Sequence, residues 1–273
     1  MAKLPRSILR APGYEVAEAL DQKEYDNENR HYLGYSTSGN PCKRATYYGF
    51  HWVSEETISA RTNRIFETGH RLEDIIINDL INNGYEITAR QVGVTDETVH
   101  VQGHIDGIIT IDGESCLLEI KTANESNYNK IVKHGVKIAK LPYYMQMQAY
   151  MGKLQLKKGL FLAYNKNDCS YYTELIDFNP GIAKDIDRIF FSILTDEQLP
   201  DKISTDPDDF ECSWCSFKQV CHFNQEPAKN CRTCQYVSIE MQGKWHCNFH
   251  NLDLDLEDQK YGCHKYTCDP KFS

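Results

Sequence analysis

The stretch VQGHIDGIITIDGESCLLEIKTAN, residues 101–124, decides the fold. Asp112-Gly113 divides it into two apolar-rich runs, and Asp-Gly suits a two-residue hairpin turn whose central residues both take positive φ. Such a turn pairs Ile111 with Glu114. Extending that register sets Asp106 opposite Glu119 and His104 opposite Lys121. Partners across an antiparallel pair hold their Cβ atoms ~4.5–5.5 Å apart. The opposite face collects Ile105, Ile109, Ile111, Cys116, Leu118 and Ile120. That apolar set fixes the register, because a one-residue slip would turn it to solvent. Two facing carboxylates repel, and folding gains nothing from them unless a cation lies between. A hard divalent ion, Mg²⁺ or Mn²⁺, prefers carboxylate oxygens and would resolve the conflict. Lys121 would then point its ammonium at whatever the ion holds. The competing reading is an exposed hairpin with a Glu119–Lys121 salt bridge, and the coherent apolar face argues against it.

Working outward, a helix is expected over 55–82, with apolar or small residues at 65, 69, 72, 76 and 80 in one stripe. Asn83-Gly84 stops it. Strand-like runs follow at 85–94, 99–111 and 115–122. Next come a helix opened by Pro142 and running to about 154, strands at 159–164 and 171–177, and a helix over 180–194. This order predicts a mixed α/β domain followed by a cysteine-rich module.

The 273 residues suffice for one large domain and a small appendage. The apolar share, 41%, fits a folded chain and excludes a disordered one. No apolar run approaches the ~18 residues of a membrane span, and residues 1–15 lack the apolar core of a signal peptide. A cytoplasmic location without membrane contact is therefore expected. The net charge of −9 taken alone argues against nucleic acid. Between Lys121 and Leu160, however, eight lysines stand against the single Glu125, a local balance of +7 that restores DNA as a candidate partner. Eleven cysteines in a reducing compartment are better read as metal ligands than as disulfides.

Asp106 followed by Glu119-Ile120-Lys121 resembles the D-x(n)-E-x-K motif of the PD-(D/E)XK nucleases, and Gly103-His104-Ile105-Asp106 the G-x-x-D form of their RecB-like branch. Gln146 and Tyr150, one helical turn apart, match that branch's Q-x-x-x-Y motif. The resemblance covers residues 36–222. It implies an α+β restriction-endonuclease-like core, a mixed sheet flanked by helices. It also implies a Mg²⁺- or Mn²⁺-dependent DNA exonuclease in phage recombination, repair or degradation, acting on single-stranded or duplex ends in the cytoplasm of the host. Asp106, Glu119 and Lys121 would be catalytic. Glu73, four residues after Gly69, would join Asp106, Glu119 and the Ile120 carbonyl around the metal, with His70 as an additional candidate. Gln146, Tyr150 and the lysines at 130, 133, 137 and 140 would contact DNA. A structure-specific endonuclease and a non-catalytic DNA-end-binding or assembly subunit remain the alternatives.

Cys212-x2-Cys215-x5-Cys221 places three thiols within ten residues, and Cys42 is the one early cysteine flanked by basic residues. One upstream cysteine with three just after the core is similar to the iron–sulfur nucleases, the CRISPR-associated RecB-like exonucleases and the AddB nuclease domain. This implies a [4Fe–4S] cluster stapling the two ends of the core, with zinc as the alternative. Cys231-x2-Cys234-x12-Cys247-x15-Cys263 predicts a small zinc-binding module in residues 223–273, with 1–35 an N-terminal extension.

Overall fold

The computed structural model describes residues 13–22, 24–26, 29–55, 57–196 and 198–272. It begins with α1 (Tyr14–Gln22), β1 (Glu24–Asp26), β2 (Leu33–Gly34), α2 (Lys43–Phe50), β3 (Thr57–Ser59) and α3 (Ala60–Asn82). The centre comprises β4 (Ile87–Thr88), β5 (Gly93–Thr95), β6 (Val101–His104), β7 (Gly107–Ile111), β8 (Glu114–Ala123), α4 (Glu125–Ala139), α5 (Leu141–Leu154), β9 (Lys158–Asn165), β10 (Tyr171–Asp177) and α6 (Pro180–Thr195). α7 (Phe210–Ser213), α8 (Lys218–Phe223), β11 (Val237–Ile239), β12 (Trp245–Cys247), β13 (Leu252–Leu254) and α9 (Leu256–Lys260) follow.

The main sheet is mixed, in the order β10-β9-β8-β7-β4, with β8 and β9 parallel and the other neighbours antiparallel. A parallel pair needs a crossover, supplied by α4 and α5. The β7–β8 hairpin has the anticipated turn, with Asp112 and Gly113 at φ +50° and +77°. Its register runs from Ile111 opposite Glu114 to Gly107 opposite Leu118. β8 is buried on both faces, as a central strand of a sheet covered on both sides should be. Leu117 enters the core shared with α4, α5 and α6, whereas Cys116, Leu118 and Ile120 pack with Ile76 and Ile77 of α3.

The hairpin departs from expectation beyond Gly107. Asp106 lies in a bend, and β6 leaves β8 to pair with β5 and β2 in a second sheet. Asp106 is therefore no ladder partner of Glu119. His104 pairs with Gly93 rather than Lys121, and Ile105 joins the first core instead of the second. Helix α3 also starts later than 55, because 57–59 forms a strand against 24–26 and Ser59 caps the helix by accepting the Thr62 amide. α4 is a helix the sequence pattern does not announce. Tyr128, Ile131 and Val136 are its buried stripe, and Gly135 at φ +73° kinks it where Glu174 accepts the Val136 amide at 2.8 Å.

The described residues from 223 to 272 share the first core: Trp245 and Phe272 pack with Tyr47, Tyr48 and Phe50. Among the described residues, no helix is long and apolar enough to cross a membrane.

Candidate active site

The bend that removes Asp106 from the ladder aims its carboxylate at the edge β8 exposes once β7 has ended. Asp106 Oδ2 accepts the Ile120 amide at 2.7 Å. The amide and carbonyl of one strand residue point to the same side, so the Ile120 carbonyl faces that edge too. Glu119 precedes it on β8 with no solvent exposure, a carboxylate in the middle of an apolar run. Lys121 forms an ion pair with Glu119 Oε1 and stays one-quarter exposed. Among the described residues, Glu119 Oε2 has no hydrogen-bond partner. Glu73 reaches the same place from α3, where Gln91 donates to its Oε1 at 2.6 Å.

Glu73, Asp106, Ile120 and Lys121 line a cleft of about 720 Å³ together with His70, Gln146 and Tyr150, whereas Glu119, fully buried, does not line it. Its charges are strained. Burial pushes the Glu119 carboxyl up to about 7; Lys121 restrains the shift, while Asp106 and Glu73 add to it. Asp106 and Glu73 are raised as well, chiefly by burial. Burial works to discharge Lys121, but the carboxylates of Glu119 and Asp106 outweigh it and hold the ammonium charged. One ammonium does not balance three clustered carboxylates. A buried carboxylate oxygen without a donor, beside two more carboxyls and a strand carbonyl, fits a hard divalent ion. Among the described residues, no three His, Cys, Asp or Glu side chains are already drawn up as a ligand group. Here Lys121 and Gln91 occupy carboxylate oxygens that an ion would take.

Two buried residues of α5 close the cleft floor. Tyr150 is 2% exposed, hydrogen-bonds Gln146, and meets the Tyr35 ring edge-on with centroids 5.2 Å apart. Burial raises its hydroxyl, which therefore stays protonated and can donate. This explains Gly103 of the G-x-x-D stretch: a Cβ there would stand 2.3 Å from Tyr150 Oη and 3.2 Å from Tyr35. Gly103→Ala is therefore expected to destabilise by about 1–3 kcal/mol through overpacking. Adding Tyr150→Phe should recover part of it. A urea titration checks both, and an undisturbed single variant would show that the contact is not limiting.

Of the anticipated residues, Glu73, His70, Asp106, Ile120, Lys121, Gln146 and Tyr150 meet in the cleft. Lys130, Lys133, Lys137 and Lys140 do not line it; they lie on α4 and at its end, and Lys137 Nζ sits 5.4 Å from the Tyr144 ring centre. Gln91, Tyr143 and Arg30, unforeseen from the sequence, also line the cleft. Tyr143 stacks under Lys121 with Nζ 5.5 Å from the ring centre. The aromatic run before Gln146 was the available signal for Tyr143, whereas nothing local marks Gln91.

The cysteines gather in two further places. Cys42, at the N-cap of α2, lines a cavity of about 520 Å³ with Cys212, Cys215 and Cys221. Burial raises the Cys215 thiol, and its three sulfur neighbours raise it further. Cys231, Cys234, Cys247 and Cys263 line another cavity of about 480 Å³. Cys116 is buried under α3, Cys169 is exposed, and Cys268 bridges to Cys234 through the backbone.

The family model of the YqaJ-like viral recombinase domain matches residues 17–153. No curated protein matches the chain. Among solved structures, the alkaline exonuclease LHK-Exo from Laribacter hongkongensis is 20% identical, with 61% of this chain and 87% of that one covered and a TM-score of 0.46. LHK-Exo in complex with dAMP gives 18%, 60%, 86% and 0.45. SSO0001 gives 16%, 81%, 98% and 0.44. At these values the likeness is distant.

Proposed function

We propose that the chain, which belongs to the YqaJ-like viral recombinase domain family, is a Mg²⁺- or Mn²⁺-dependent DNA exonuclease of PD-(D/E)XK type, working in recombination. The observation that carries this is the buried Glu119 carboxylate, lacking a donor at Oε2, beside Asp106, Glu73 and a charged Lys121, these three lining one cleft. Glu73, Asp106, Glu119 and the Ile120 carbonyl would hold the ion. When bound, the ion polarises a phosphodiester oxygen and lowers the pKa of water. Lys121, kept cationic by its carboxylate neighbours, binds a phosphate oxygen or orients the attacking water. The Tyr150 hydroxyl and the Gln146 amide offer donors at the cleft floor to the DNA backbone. His70, exposed on α3 next to Glu73, stands where a phosphate would enter.

The four cysteines around the first cavity suit a [4Fe–4S] cluster joining α2 to α7 and α8, and those around the second suit zinc. The alkaline exonuclease named above is a distant likeness and agrees with the reading without carrying it.

The test is cleavage of end-labelled linear and closed circular DNA with Mn²⁺ after anaerobic purification. Linear DNA is expected to be degraded from its ends and circles spared. Lys121→Ala should lower kcat by about 10²–10³, the scale for one preorganised charge-stabilising group. An inactive wild type, or an undiminished Lys121→Ala, would sink the nuclease; cut circles would make it an endonuclease.

A further inference from the structure

The C-terminal residues enclose a cation that the proposed hydrolysis does not use. Arg232 lies between Cys231 and Cys234 on a 3₁₀ turn and is 1% exposed. Its guanidinium carbon stands 3.8 Å from the Trp52 ring centre, 4.4 Å from that of Trp245 and 5.3 Å from that of Phe50. Nη1 donates to the Phe50 carbonyl at 2.7 Å, Nη2 to the His31 carbonyl at 3.0 Å and Nε to Gln259 Oε1 at 2.9 Å. No carboxylate among the described residues forms an ion pair with it. A cation compensated only by ring faces and neutral oxygens keeps its place only if the backbone carrying it is held firmly.

That backbone is the Cys-x2-Cys turn itself. Cys231 and Cys234 share one cavity with Cys247 of β12 and with Cys263, which lies 3.6 Å from His250 Nε2. Four sulfurs from three separate segments around one cavity are a soft donor set that, drawn together, suits a tetrahedral zinc ion. At the other end, the oxygens held are those of residues bordering the catalytic cleft. Arg232 fixes the His31 carbonyl, and Trp52 Nε1 fixes the Arg30 carbonyl at 2.9 Å. Arg30, Tyr32, Gly34 and Tyr35 form one wall of that cleft.

We propose that zinc held by Cys231, Cys234, Cys247 and Cys263 is a structural latch: it sets the turn that plugs Arg232 into its aromatic box, and thereby holds the 30–35 wall of the DNA cleft. Arg232 is a positioning residue, touching neither DNA nor the catalytic ion. Only the kinetic readout of this latch rests on the nuclease reading.

The test uses the full-length chain as wild type, Cys247→Ser and Arg232→Lys. Zinc analysis should find one ion per chain in wild type and Arg232→Lys and none in Cys247→Ser, with iron unchanged. Trypsin should cut after the exposed Arg30 about tenfold faster in both variants, because the local opening costs less. KM for end-labelled DNA should rise about tenfold while kcat stays within about twofold, the pattern of lost positioning rather than lost chemistry. Zinc retained by Cys247→Ser would overturn the site. Zinc lost with tryptic rate and KM unchanged would overturn the latch. A wild type that binds zinc and resists trypsin but cuts no DNA would sink the nuclease reading and leave the latch standing. Should Cys247→Ser fail to fold, stripping zinc from wild type is expected to red-shift Trp52 and Trp245 emission, and an unmoved spectrum would refute the coupling.

Discussion

Glu119→Gln is expected to abolish DNA cleavage, with a fall of at least about 10³ in kcat, equivalent to about 4 kcal/mol of transition-state stabilisation. The amide has nearly the shape of the carboxyl, so packing in the middle of β8 is kept. What changes is the charge that an ion needs and the charge that faces Lys121. The variant should also separate binding from chemistry. Wild type should gain thermal stability from Mn²⁺, by about 2.7 kcal/mol at a hundredfold excess over Kd, and Glu119→Gln far less. The gain should depend on pH with a definite sign. In the ion-free chain, burial raises the Glu119 carboxyl from its ordinary 4.5 to about 7. The fold then favours the protonated form, a contribution present below 4.5 and lost as pH rises through about 7. An ion needs the carboxylate and must displace that proton, so Mn²⁺ stabilisation should grow as pH rises through about 7. Differential scanning fluorimetry at several pH values reads both effects. A Glu119→Gln chain that responds to Mn²⁺ like wild type would remove Glu119 from the metal site.

The hairpin was legible because its turn and its alternation are local facts. Asp112-Gly113 can take the positive φ values that most pairs resist, and the Ile109–Cys116 face has one core to enter. The bend at Asp106 was not legible. A period of two says which face a residue occupies, not which strand it pairs with, and β6 finds its partners at Gly93 and Leu33, ten or more residues distant. The carboxylates still meet, by a different route: Asp106 is tied to the backbone of Ile120 rather than stacked across from Glu119. Glu73, placed in the cleft, came from the family resemblance alone, whereas Gln91, which holds it, lies on a loop with no periodic signal. The lysines after Lys121 look in the sequence like a track for DNA and mask the apolar stripe of α4. The two cysteine sets expected from the sequence each line a cavity, without any three of them standing as a ligand group among the described residues. Arg232, between two of them, looks in the sequence like any solvated residue of a metal knuckle. Two of the rings around it and two of its acceptor carbonyls come from residues about 180 to 200 positions upstream, which no local pattern encodes.

Arg232→Ala is expected to destabilise the chain by about 3–5 kcal/mol, the range for breaking a buried charged network. Three terms add up. The side chain fills space between Trp52, Trp245 and Phe50, and its loss leaves a cavity that three rings cannot close. The Phe50 and His31 carbonyls and the Gln259 amide oxygen lose their donor, at about 1–3 kcal/mol for each one left dry. The cation–π attraction, about 2 kcal/mol for a desolvated pair, goes as well. Against them stands relief of the cost of burying a charge, several kcal/mol, which is why the net is smaller than the sum. Arg232→Met distinguishes the terms, since it restores most of the apolar volume and none of the hydrogen bonds. It should regain about 1–2 kcal/mol of the loss, the packing share, and no more. The deficit should change little with salt, because a fully buried group is poorly screened. Urea unfolding followed by tryptophan emission measures all three chains. A loss under about 1 kcal/mol for Arg232→Ala would fall within the ordinary range of a surface contact. It would mean that the aromatic box holds together without its cation, and that the tail is fastened to the core by its apolar contacts and backbone hydrogen bonds instead.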